Sequence, residues 1–335
     1  MDLLTQGLLG GTLALAVAGK QESRSATVIG FVAALVADAD ILIGASGDPL
    51  LNLEFHRHFT HALIFIPVGA LIAALLLWPL LRKRLGFRKI YGYAFLGYAT
   101  SGLLDACTSY GTHLLWPFSD ERIAWSVIAI VDPVFSLVLL IALILGFKYC
   151  KPVPARVGLA LAGAYLSMGL WQHENALRSA TELAEQRGHE VQRIIVKPTM
   201  ANLLLWRSVY QSGDLFYVDA IRVGLGSMRI YRGESAQVFN LDQDRPELGR
   251  DSVLARDIER FSALANGYVA PDSGRANVLI DIRYSMLPIS ITPMWGIDLD
   301  VASNTQHAKF EVYRDRPDNA RNEFIAMLLG RDLPK

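Results

Sequence analysis

The sequence has little cysteine, little charge and no net charge, and each of these properties excludes a class of protein. Only two of its 335 residues are cysteines, Cys107 and Cys150, so a scaffold of disulfides is excluded. The 32 basic and 32 acidic side chains cancel, and a chain without a basic excess is not expected to bind nucleic acid through its phosphates. Charged residues make up 19% of the chain, against about 25% in a typical soluble domain.

In place of charge the sequence has long apolar runs, almost all of them before residue 175. A helix that crosses the roughly 30 Å hydrocarbon core of a bilayer needs about 20 apolar residues. Three runs have that length, two are near the lower limit, and one is short: 61–81, 91–110 and 126–147, then 26–43 and 156–173, and finally 7–19. The short run lacks a basic segment and a clear cleavage site, so we do not interpret it as a signal peptide. The pattern excludes a single soluble globule and predicts an α-helical integral membrane bundle of five or six helices in a lipid bilayer.

Basic residues in the loops predict the orientation of this bundle. If every run spans the membrane, ten Lys and Arg residues fall on one side and only Arg57 and Arg122 fall on the other. The positive-inside rule places the ten in the cytoplasm: Lys20, Arg24, Arg82, Lys83, Arg84, Arg88, Lys89, Lys148, Lys151 and Arg156. The last run then delivers the C-terminal half to the outer face. If the first run does not span, only the N-terminus changes side.

The composition changes at Glu174, which divides the chain into a membrane domain, residues 1–174, and an extramembrane domain, residues 175–335. After a helix that continues to Gln186, β-strands are predicted at 191–196, 215–223, 276–284 and 309–313. Apolar spacing predicts helices at 252–265 and 319–329. The pattern is typical of a small α+β domain. This half of the sequence has no internal repeat, Gly-rich phosphate loop or nucleophile elbow, and no motif in it indicates a role.

Ionisable residues inside the apolar half indicate a function, because charges in membrane helices are costly and usually mark a site or a buried pair. They lie at the same, outer end of their predicted helices: Asp38, Asp40, the segment 56–61, Asp105, Asp132, and the pair His173 and Glu174. Independent helices need not agree in this way, so we expect one shared site. Neutral imidazoles and carboxylates are the ligands of zinc and other first-row divalent ions, and this set can hold one or two ions.

The spacing restricts how these side chains can reach an ion. Asp38 and Asp40 are about 200° apart on an α-helix, so the helix must fray at this pair. His56 and His61 are about 140° apart, so both can face one ion only if their segment starts as a loop. Two acids of the intervening loop, Asp48 and Glu54, are interpreted as solvated, and His58 as a side chain that faces water.

A metal-bound water would supply the nucleophile for a hydrolytic reaction, because the ion lowers the pKa of that water towards neutrality. Arg57 could neutralise a phosphate or another developing negative charge. Asp132 could orient the water or act as its base. The alternative for Asp132 is a structural one, since an intramembrane Asp often pairs with a basic group or caps a neighbouring helix.

Several short motifs in residues 1–175 carry a resemblance to a known family. In chain order they are Thr5-Gln6-Gly7, Asp38-Ala39-Asp40, His56-Arg57-His58-Phe59-Thr60-His61, the segment 103–111 with Asp105 and Thr108, and Leu114-Leu115-Trp116-Pro117. With these motifs the sequence resembles the membrane-bound metal-dependent hydrolase family, whose members are also described as LexA-regulated or inner-membrane-associated hydrolases.

The resemblance implies an inner-membrane hydrolase that depends on a divalent metal, with a helical architecture distantly like that of zinc-dependent phospholipase C. Carried over residue by residue, it assigns support roles to Arg57 and Thr60. It assigns the metal ligands to Asp38, Asp40, His56, His61 and Asp105. One position departs from the family pattern, because Gln6 stands where the family usually has His. Glutamine is a poor ligand for a zinc-like ion, so one of two metal positions would be weakened or lost.

Two functions are therefore expected. The first is a metal-dependent hydrolase whose metal-activated water attacks a phosphoester, a lipid among the candidates, at the outer membrane face. The alternative is a non-catalytic membrane protein with a structural metal site and an outer domain that binds a partner. A transport path is disfavoured, because the runs are apolar on the cytoplasmic side of Asp105 and Asp132.

Overall fold

The computed structural model of the chain describes residues 1–44, 47–224, 227–301, 305–314 and 319–333. The chain divides into two compact units. The first comprises Met1–Ile43, Phe55–Trp171 and Met200–Leu203, and the second comprises Gly44–Glu54, Gln172–Thr199 and Leu204–Lys335. The second unit therefore includes a short segment from the N-terminal half of the sequence, and this segment joins Asp40 to His56.

The N-terminal half is helical. Its helices are α1 (Leu3–Val17), α2 (Ser23–Val36), α3 (Leu51–Phe55), α4 (Ile66–Leu81), α5 (Phe87–Ala106), α6 (Pro133–Tyr149) and α7 (Val153–Gln186). Among the residues that the structure describes, three helical stretches are long and apolar enough to cross a membrane, by length and composition: Ser23–Leu42, Leu63–Leu81 and Val153–Gln186. Helices α1 and α6 are apolar but shorter. A helical region with membrane-length apolar helices is thus confirmed, whereas a bundle of five or six spans stays a prediction.

Helix α7 covers two elements that the sequence predicted separately. The predicted span at 156–173 and the predicted helix up to Gln186 form one continuous helix of 34 residues, Val153–Gln186. No proline follows Pro154 within it, so nothing in the backbone chemistry ends the helix where the composition turns polar.

Glycines let three helices of the first unit approach each other closely. A Cβ atom built on Gly97 of α5 would lie 2.2 Å from the carbonyl oxygen of Gly30 in α2. A Cβ atom built on Gly10 of α1 would lie 2.6 Å from the same oxygen. Small residues at crossing points are typical of helices that pack in membranes, because they allow the backbones to touch. This packing draws together the chain segments that carry Asp38 and Asp105.

The described residues of the second unit form two antiparallel four-stranded sheets, each in sequential strand order. The first sheet is formed by β1 (Arg193–Pro198), β2 (Leu205–Ser212), β3 (Leu215–Val223) and β4 (Met228–Gln237). The second is formed by β5 (Val269–Pro271), β6 (Val278–Asp281), β7 (Trp295–Asp298) and β8 (Lys309–Val312). Helices α8 (Leu241–Asp244) and α9 (Val253–Leu264) connect the sheets, and α10 (Ala320–Leu329) follows the last strand. Sheets and helices in one unit agree with the predicted α+β character.

The core of the second unit lies on both faces of the first sheet. On one face, Phe216 and Val218 of β3 pack against Ile280 of β6, so the two sheets share a hydrophobic cluster. On the other face, Ala180 near the end of α7 packs in a cluster with Trp206 of β2. The first sheet is therefore covered on both sides over its central strands.

Four strands were not predicted, and their burial explains why. Strand β2 is buried at six of its eight positions, so apolar residues do not alternate along it. Strand β4 is mostly exposed, with burial only at Tyr231 and Ala236. Strand β5 has three residues, which is too short for a periodic pattern, and the four residues of β7 do not alternate in burial, since the two central ones are buried and the outer two are half-buried.

The loop around Leu50 belongs to the core of the second unit. Leu50 is fully buried in a cluster with apolar side chains of α9. Arg260 of α9 donates to both carboxylate oxygens of Glu54 at 2.6 and 2.9 Å and to Asp48 at 3.1 Å. The interpretation of these two acids as solvated loop residues was wrong, because their partner lies 206 and 212 residues further along the chain.

We expect Gly97→Ala to lower the melting temperature of the detergent-solubilised protein, because a methyl group there would collide with the backbone of Gly30. Gly92→Ala, on the same helix, is the matched control. Within the described residues, and apart from the local helix backbone, no atom lies within 4 Å of a Cβ atom built on Gly92. The control should be neutral or more stable by up to about 1 kcal/mol, because alanine has the higher helix propensity. Equal melting temperatures for the two variants would contradict this close packing.

Candidate metal centre

The end of helix α2 determines where two carboxylates lie. The helix ends at Val36, and the chain continues as a 3₁₀ helix over Ala37–Leu42. A 3₁₀ helix is tighter than an α-helix, which changes the directions of its side chains. Asp38 and Asp40 are both buried here, with 7% and 1% of their surface exposed. The prediction that the α-helix must fray at this pair is confirmed.

Asp40 organises the segment 56–61. Its Oδ2 accepts hydrogen bonds from the backbone N–H of Arg57 at 2.8 Å and from the hydroxyl of Thr60 at 2.6 Å. Its Oδ1 lies 3.1 Å from Nδ1 of His56. The segment becomes a 3₁₀ helix only at Phe59–His61, so it begins as a loop, as the spacing of the two histidines required.

Asp105, near the end of α5, is completely buried and has four polar neighbours. Its Oδ2 accepts a hydrogen bond from Nε2 of Gln6 at 2.9 Å, and its Oδ1 accepts one from the α-amino group of Met1. Nε of Arg57 and Nε2 of His61 lie 3.2 and 3.1 Å from its Oδ2. Asp105 thus links α1, α5 and the segment 56–61.

Within the described part of the first unit, two groups of three residues could each hold a metal ion, and they share Asp38. The first group is Asp38, His61 and Asp105, and the second is Asp38, Asp40 and His56. In each group, one donor atom from each side chain lies within 4.8 Å of the other two. The structure therefore brings together all five side chains that the sequence assigned as ligands, although their binding of a metal stays a prediction.

The donor atoms of this cluster fit a first-row divalent ion. Nε2 of His61 is close to Asp105 but, like Oδ2 of Asp38, it is buried and makes no hydrogen bond within the described part of the chain. Buried polar atoms normally have a partner, so these two atoms have unused capacity to bind an ion. Imidazole nitrogen combined with carboxylate oxygen is a donor set typical of zinc.

Negative charge exceeds fixed positive charge in this cluster. Asp38, Asp40 and Asp105 contribute three buried carboxylates. The fixed cations that the described residues place against them are Arg57 and the α-amino group of Met1. An uncompensated buried charge costs several kcal/mol, so the cluster favours a further cation. A divalent ion or a protonated imidazole would supply it.

The structure does not bring Asp132 to this cluster. Its Oδ1 accepts hydrogen bonds from the backbone N–H groups of Val134 and Phe135 at 3.1 and 3.0 Å, which caps helix α6. Its Oδ2 accepts a hydrogen bond from the hydroxyl of Tyr165 at 2.8 Å. Both carboxylate oxygens are used in this way, so the helix cap, which was the alternative interpretation, is the one observed.

Three residues near the cluster were not singled out from the sequence. The ring centroid of Tyr110 lies 5.3 Å from the guanidinium carbon of Arg57 and 4.8 Å from that of Arg122, both within cation–π distance. Tyr98 donates its hydroxyl proton to the carbonyl oxygen of Thr60 at 2.8 Å. Arg122 could have been identified from the sequence, because it is one of two basic residues in the predicted outer loops. Tyr98 occurs among apolar and small residues and resembles an ordinary core position, and Tyr110 lies within the motif at 103–111 but is not of a ligand type.

His58 belongs to an aromatic group beside the cluster. Its ring centroid lies 4.5 Å from that of His113 and 5.7 Å from that of Trp116. Burial, together with the nearby charges of Arg122 and His58, lowers the pKa of His113 to about 4, so this imidazole is neutral at pH 7. The interpretation of His58 as a side chain that simply faces water was wrong, because it is half-buried against these rings.

A third group of possible ligands lies in the second unit, at Asp48, Asp257 and His307. Asp257 accepts hydrogen bonds from Arg260 at 2.9 Å and from the backbone N–H of Ala308 at 2.9 Å, and it lies 3.0 Å from Nδ1 of His307. Arg260 also pairs with Asp48. The guanidinium already supplies the positive charge that a metal would bring, so this group fits an ion-pair network better than a metal site.

Membrane-length apolar helices that surround buried polar side chains define a membrane protein. The family model of the YdjM inner membrane protein matches residues 1–176, and the chain belongs to this family. Membership supports a location in the inner membrane. The matched residues include the whole polar cluster and end shortly after Gln172, where the chain enters the second unit again.

Two curated relatives share part of this sequence. The uncharacterized protein YfhP of Bacillus subtilis strain 168 is 27% identical over 165 residues, which cover 49% of this chain and 49% of the relative. The inner membrane protein YbcI of Escherichia coli K12 is 34% identical over 107 residues, which cover 30% of this chain and 60% of the relative. The chain thus spans about half to three fifths of the length of these relatives. No solved structure matches the chain.

Proposed function

We propose that the chain is a multi-pass inner membrane hydrolase that depends on a divalent metal ion, zinc by the type of its donors. The ligands would be Asp38, Asp40, His56, His61 and Asp105. The observation that carries the proposal is the convergence of these five donors, from separate segments of the chain, in one cluster that contains unpaired donor atoms. Ionisable groups among membrane helices usually mark a functional site, because their burial is costly.

A phosphoester is the substrate class that suits the cluster. Arg57 is 6% exposed, and within the described residues its Nε and Nη1 make no hydrogen bond. Its Nε lies 3.2 Å from Oδ2 of Asp105, which leaves Nη1 as the donor available to a phosphate oxygen. The predicted topology puts the cluster and the second unit at the outer membrane face, near the level of lipid headgroups. We therefore propose a phosphoester of a membrane lipid as the substrate.

Each protein residue has a separate part in the proposed reaction. A bound divalent ion would act as a Lewis acid and lower the pKa of a water molecule towards neutrality. Thr60 donates a hydrogen bond to Asp40 at 2.6 Å and holds that carboxylate in place. As the oxygen of the water bonds to phosphorus, the bond from phosphorus to the leaving alcohol oxygen would break, and a carboxylate of the cluster would take the proton of the water and return it to that alcohol. Arg57 would stabilise the negative charge that develops on the phosphoryl oxygens.

Gln6 supports a ligand in this proposal and is not itself one. Its Nε2 donates a hydrogen bond to Oδ2 of Asp105 at 2.9 Å, which holds that carboxylate towards His61. Its Oε1 is buried and makes no hydrogen bond to any described residue. An amide oxygen is a weaker zinc ligand than the imidazole that the family usually has here. We therefore propose one firmly held ion and a second, weak position.

The second candidate function is a non-catalytic membrane protein in which the same ion is structural and the second unit binds a partner. Gln6 favours it, because a weak second metal position would remove a two-metal mechanism. Both functions require the ion, and only the first requires turnover.

We expect the detergent-purified protein to retain about one equivalent of metal per chain, and His61→Ala and Asp105→Ala to lose it, because each variant removes a donor from the same group. His307→Ala is the matched control, since it removes a histidine from the ion-pair network of the second unit. Elemental mass spectrometry measures the metal, and circular dichroism with size-exclusion chromatography verifies folding. A folded wild-type protein without metal would contradict the proposal, and so would equal loss in the control.

We expect Gln6→His to tighten metal binding by about tenfold or more, because an imidazole replaces an amide beside Asp105. Competition with a chelator of known affinity measures the change. Gln172→His is the control, because Gln172 is also fully buried but donates its hydrogen bond to the carbonyl oxygen of Val223. Unchanged affinity in Gln6→His would mean that position 6 does not face the ion.

We expect the metal-loaded protein to hydrolyse phosphodiesters or phosphomonoesters, tested with chromogenic esters and then with phospholipids in mixed micelles. Arg57→Gln should lower kcat/KM by about 100-fold or more, because it removes the positive charge at the developing anion, while metal content stays unchanged. Asp132→Asn is the control and should leave kcat/KM close to the wild-type value. Stoichiometric metal without turnover of any of these esters would exclude the hydrolase and leave the structural alternative.

A further inference from the structure

An apolar groove lies on the first unit between α2 and α6, with a volume of about 370 Å³. Its walls come from one stretch of each helix, including Val28 and Phe31 of α2 and Ile144 and Phe147 of α6. Val28 and Ile144 are 45% and 51% exposed, so the groove opens to the surroundings of the helices. The groove is separate from the residues of the candidate metal centre.

Apart from the ammonium of Lys148 at one end, the walls of the groove offer no free hydrogen-bonding group to a polar ligand. The single hydroxyl among them belongs to Thr27, and it donates to the carbonyl oxygen of Ser23 at 2.8 Å. In an inner membrane protein, a hydrocarbon surface of this kind is in contact with lipid tails and excludes polar molecules. An acyl chain is therefore the occupant that matches the walls.

One end of the groove is positively charged. Lys148 lines it, and the guanidinium carbon of Arg24 lies 5.6 Å from the ring centroid of Phe147. Neither cation has a carboxylate partner among the described residues. The acid nearest to Arg24 in sequence, Glu22, is bound by Lys89 and by the hydroxyl of Tyr93. The charge at this end is thus available to a ligand.

We propose that this groove binds an anionic phospholipid, with one acyl chain along α2 and α6 and the phosphate between Arg24 and Lys148. Both cations belong to the basic side of the predicted topology, where basic residues at helix ends attract anionic headgroups. The proposal relies on the membrane location that family membership supports, and it does not depend on the proposed hydrolase function.

Spin-labelled lipids test the proposal with the full chain reconstituted in phosphatidylcholine vesicles. Electron paramagnetic resonance measures the fraction of labelled phosphatidylglycerol, or of labelled phosphatidylcholine, that the protein immobilises. We expect phosphatidylglycerol to associate between about 3 and 30 times more strongly, because two cations face its phosphate. Equal association of the two lipids would overturn the proposal.

Two pairs of substitutions separate the groove from the general charge of the basic side. Arg24→Gln with Lys148→Gln should abolish the preference for phosphatidylglycerol. Lys83→Gln with Arg84→Gln is the matched control, since both residues are exposed basic groups of the same predicted side but do not line the groove. A control that loses the preference as fully as the first pair would show that only surface charge attracts the lipid.

Filling the groove tests the position of the acyl chain. Val28→Trp with Ile144→Trp keeps both cations and should reduce immobilised phosphatidylglycerol to the level of phosphatidylcholine. Excess soluble glycerol phosphate should leave the lipid bound in the wild-type protein, because it lacks the acyl chain. Retention of the lipid in the filled variant, or its release by glycerol phosphate, would overturn the proposal. Melting temperatures of all variants verify that they are folded.

Discussion

Three carboxylates buried in an apolar helical region are the constraint on which the first unit depends. A charge in such surroundings is tolerated only when hydrogen bonds and opposite charges compensate it. Asp40 and Asp105 are compensated by groups that come from distant parts of the chain: a backbone N–H and a hydroxyl of the segment 56–61, an amide of α1, and Arg57. Compensation therefore draws α1, the end of α2, the segment 56–61 and α5 to one place.

The close packing of helix backbones makes that compensation geometrically possible. Gly10, Gly30 and Gly97 leave no space for a side chain where α1, α2 and α5 cross. Gly102 has the same property on α5, since a Cβ atom there would lie 2.3 Å from the carbonyl oxygen of His61. The glycines allow the helices to pack closely, and the buried carboxylates need polar partners from neighbouring segments. Both features occur on the same helices. A polar cluster with unpaired donor atoms is the result.

The segment 44–54, which lies between the stretches that carry Asp40 and His56, depends on contacts with distant parts of the chain. Asp40 precedes it, His56 follows it, and its middle belongs to the core of the second unit through Leu50 and the ion pairs of Arg260. The sequence predicted Asp48 and Glu54 as solvated acids because a loop acid with a partner more than 200 residues away has no local signal. A helix break, by contrast, is local: the angular separation of Asp38 and Asp40 was enough to predict it. The cap formed by Asp132 was one of two open interpretations, since spacing alone does not show which acceptor a carboxylate binds.

The sequence by itself determined that the N-terminal half is helical and apolar, that the second half mixes strands and helices, and which five side chains are candidates for a metal. Periodicity and composition carry the first two of these, because they reflect local backbone geometry and the cost of exposing apolar surface, whereas the set of five ligands came from the resemblance of the motifs to a known family. Only the tertiary structure decided that Asp38 is common to two groups of donors, that Asp132 caps α6, and that Tyr98 and Tyr110 lie beside the cluster. It also decided that β2 and β4 pair with β3 on its two sides. Strand β2 is buried on both faces and β4 is mostly exposed, so neither shows an alternation of apolar and polar residues. These features depend on contacts between residues far apart in the chain, and the physical forces that select such contacts act only once the helices and sheets have packed.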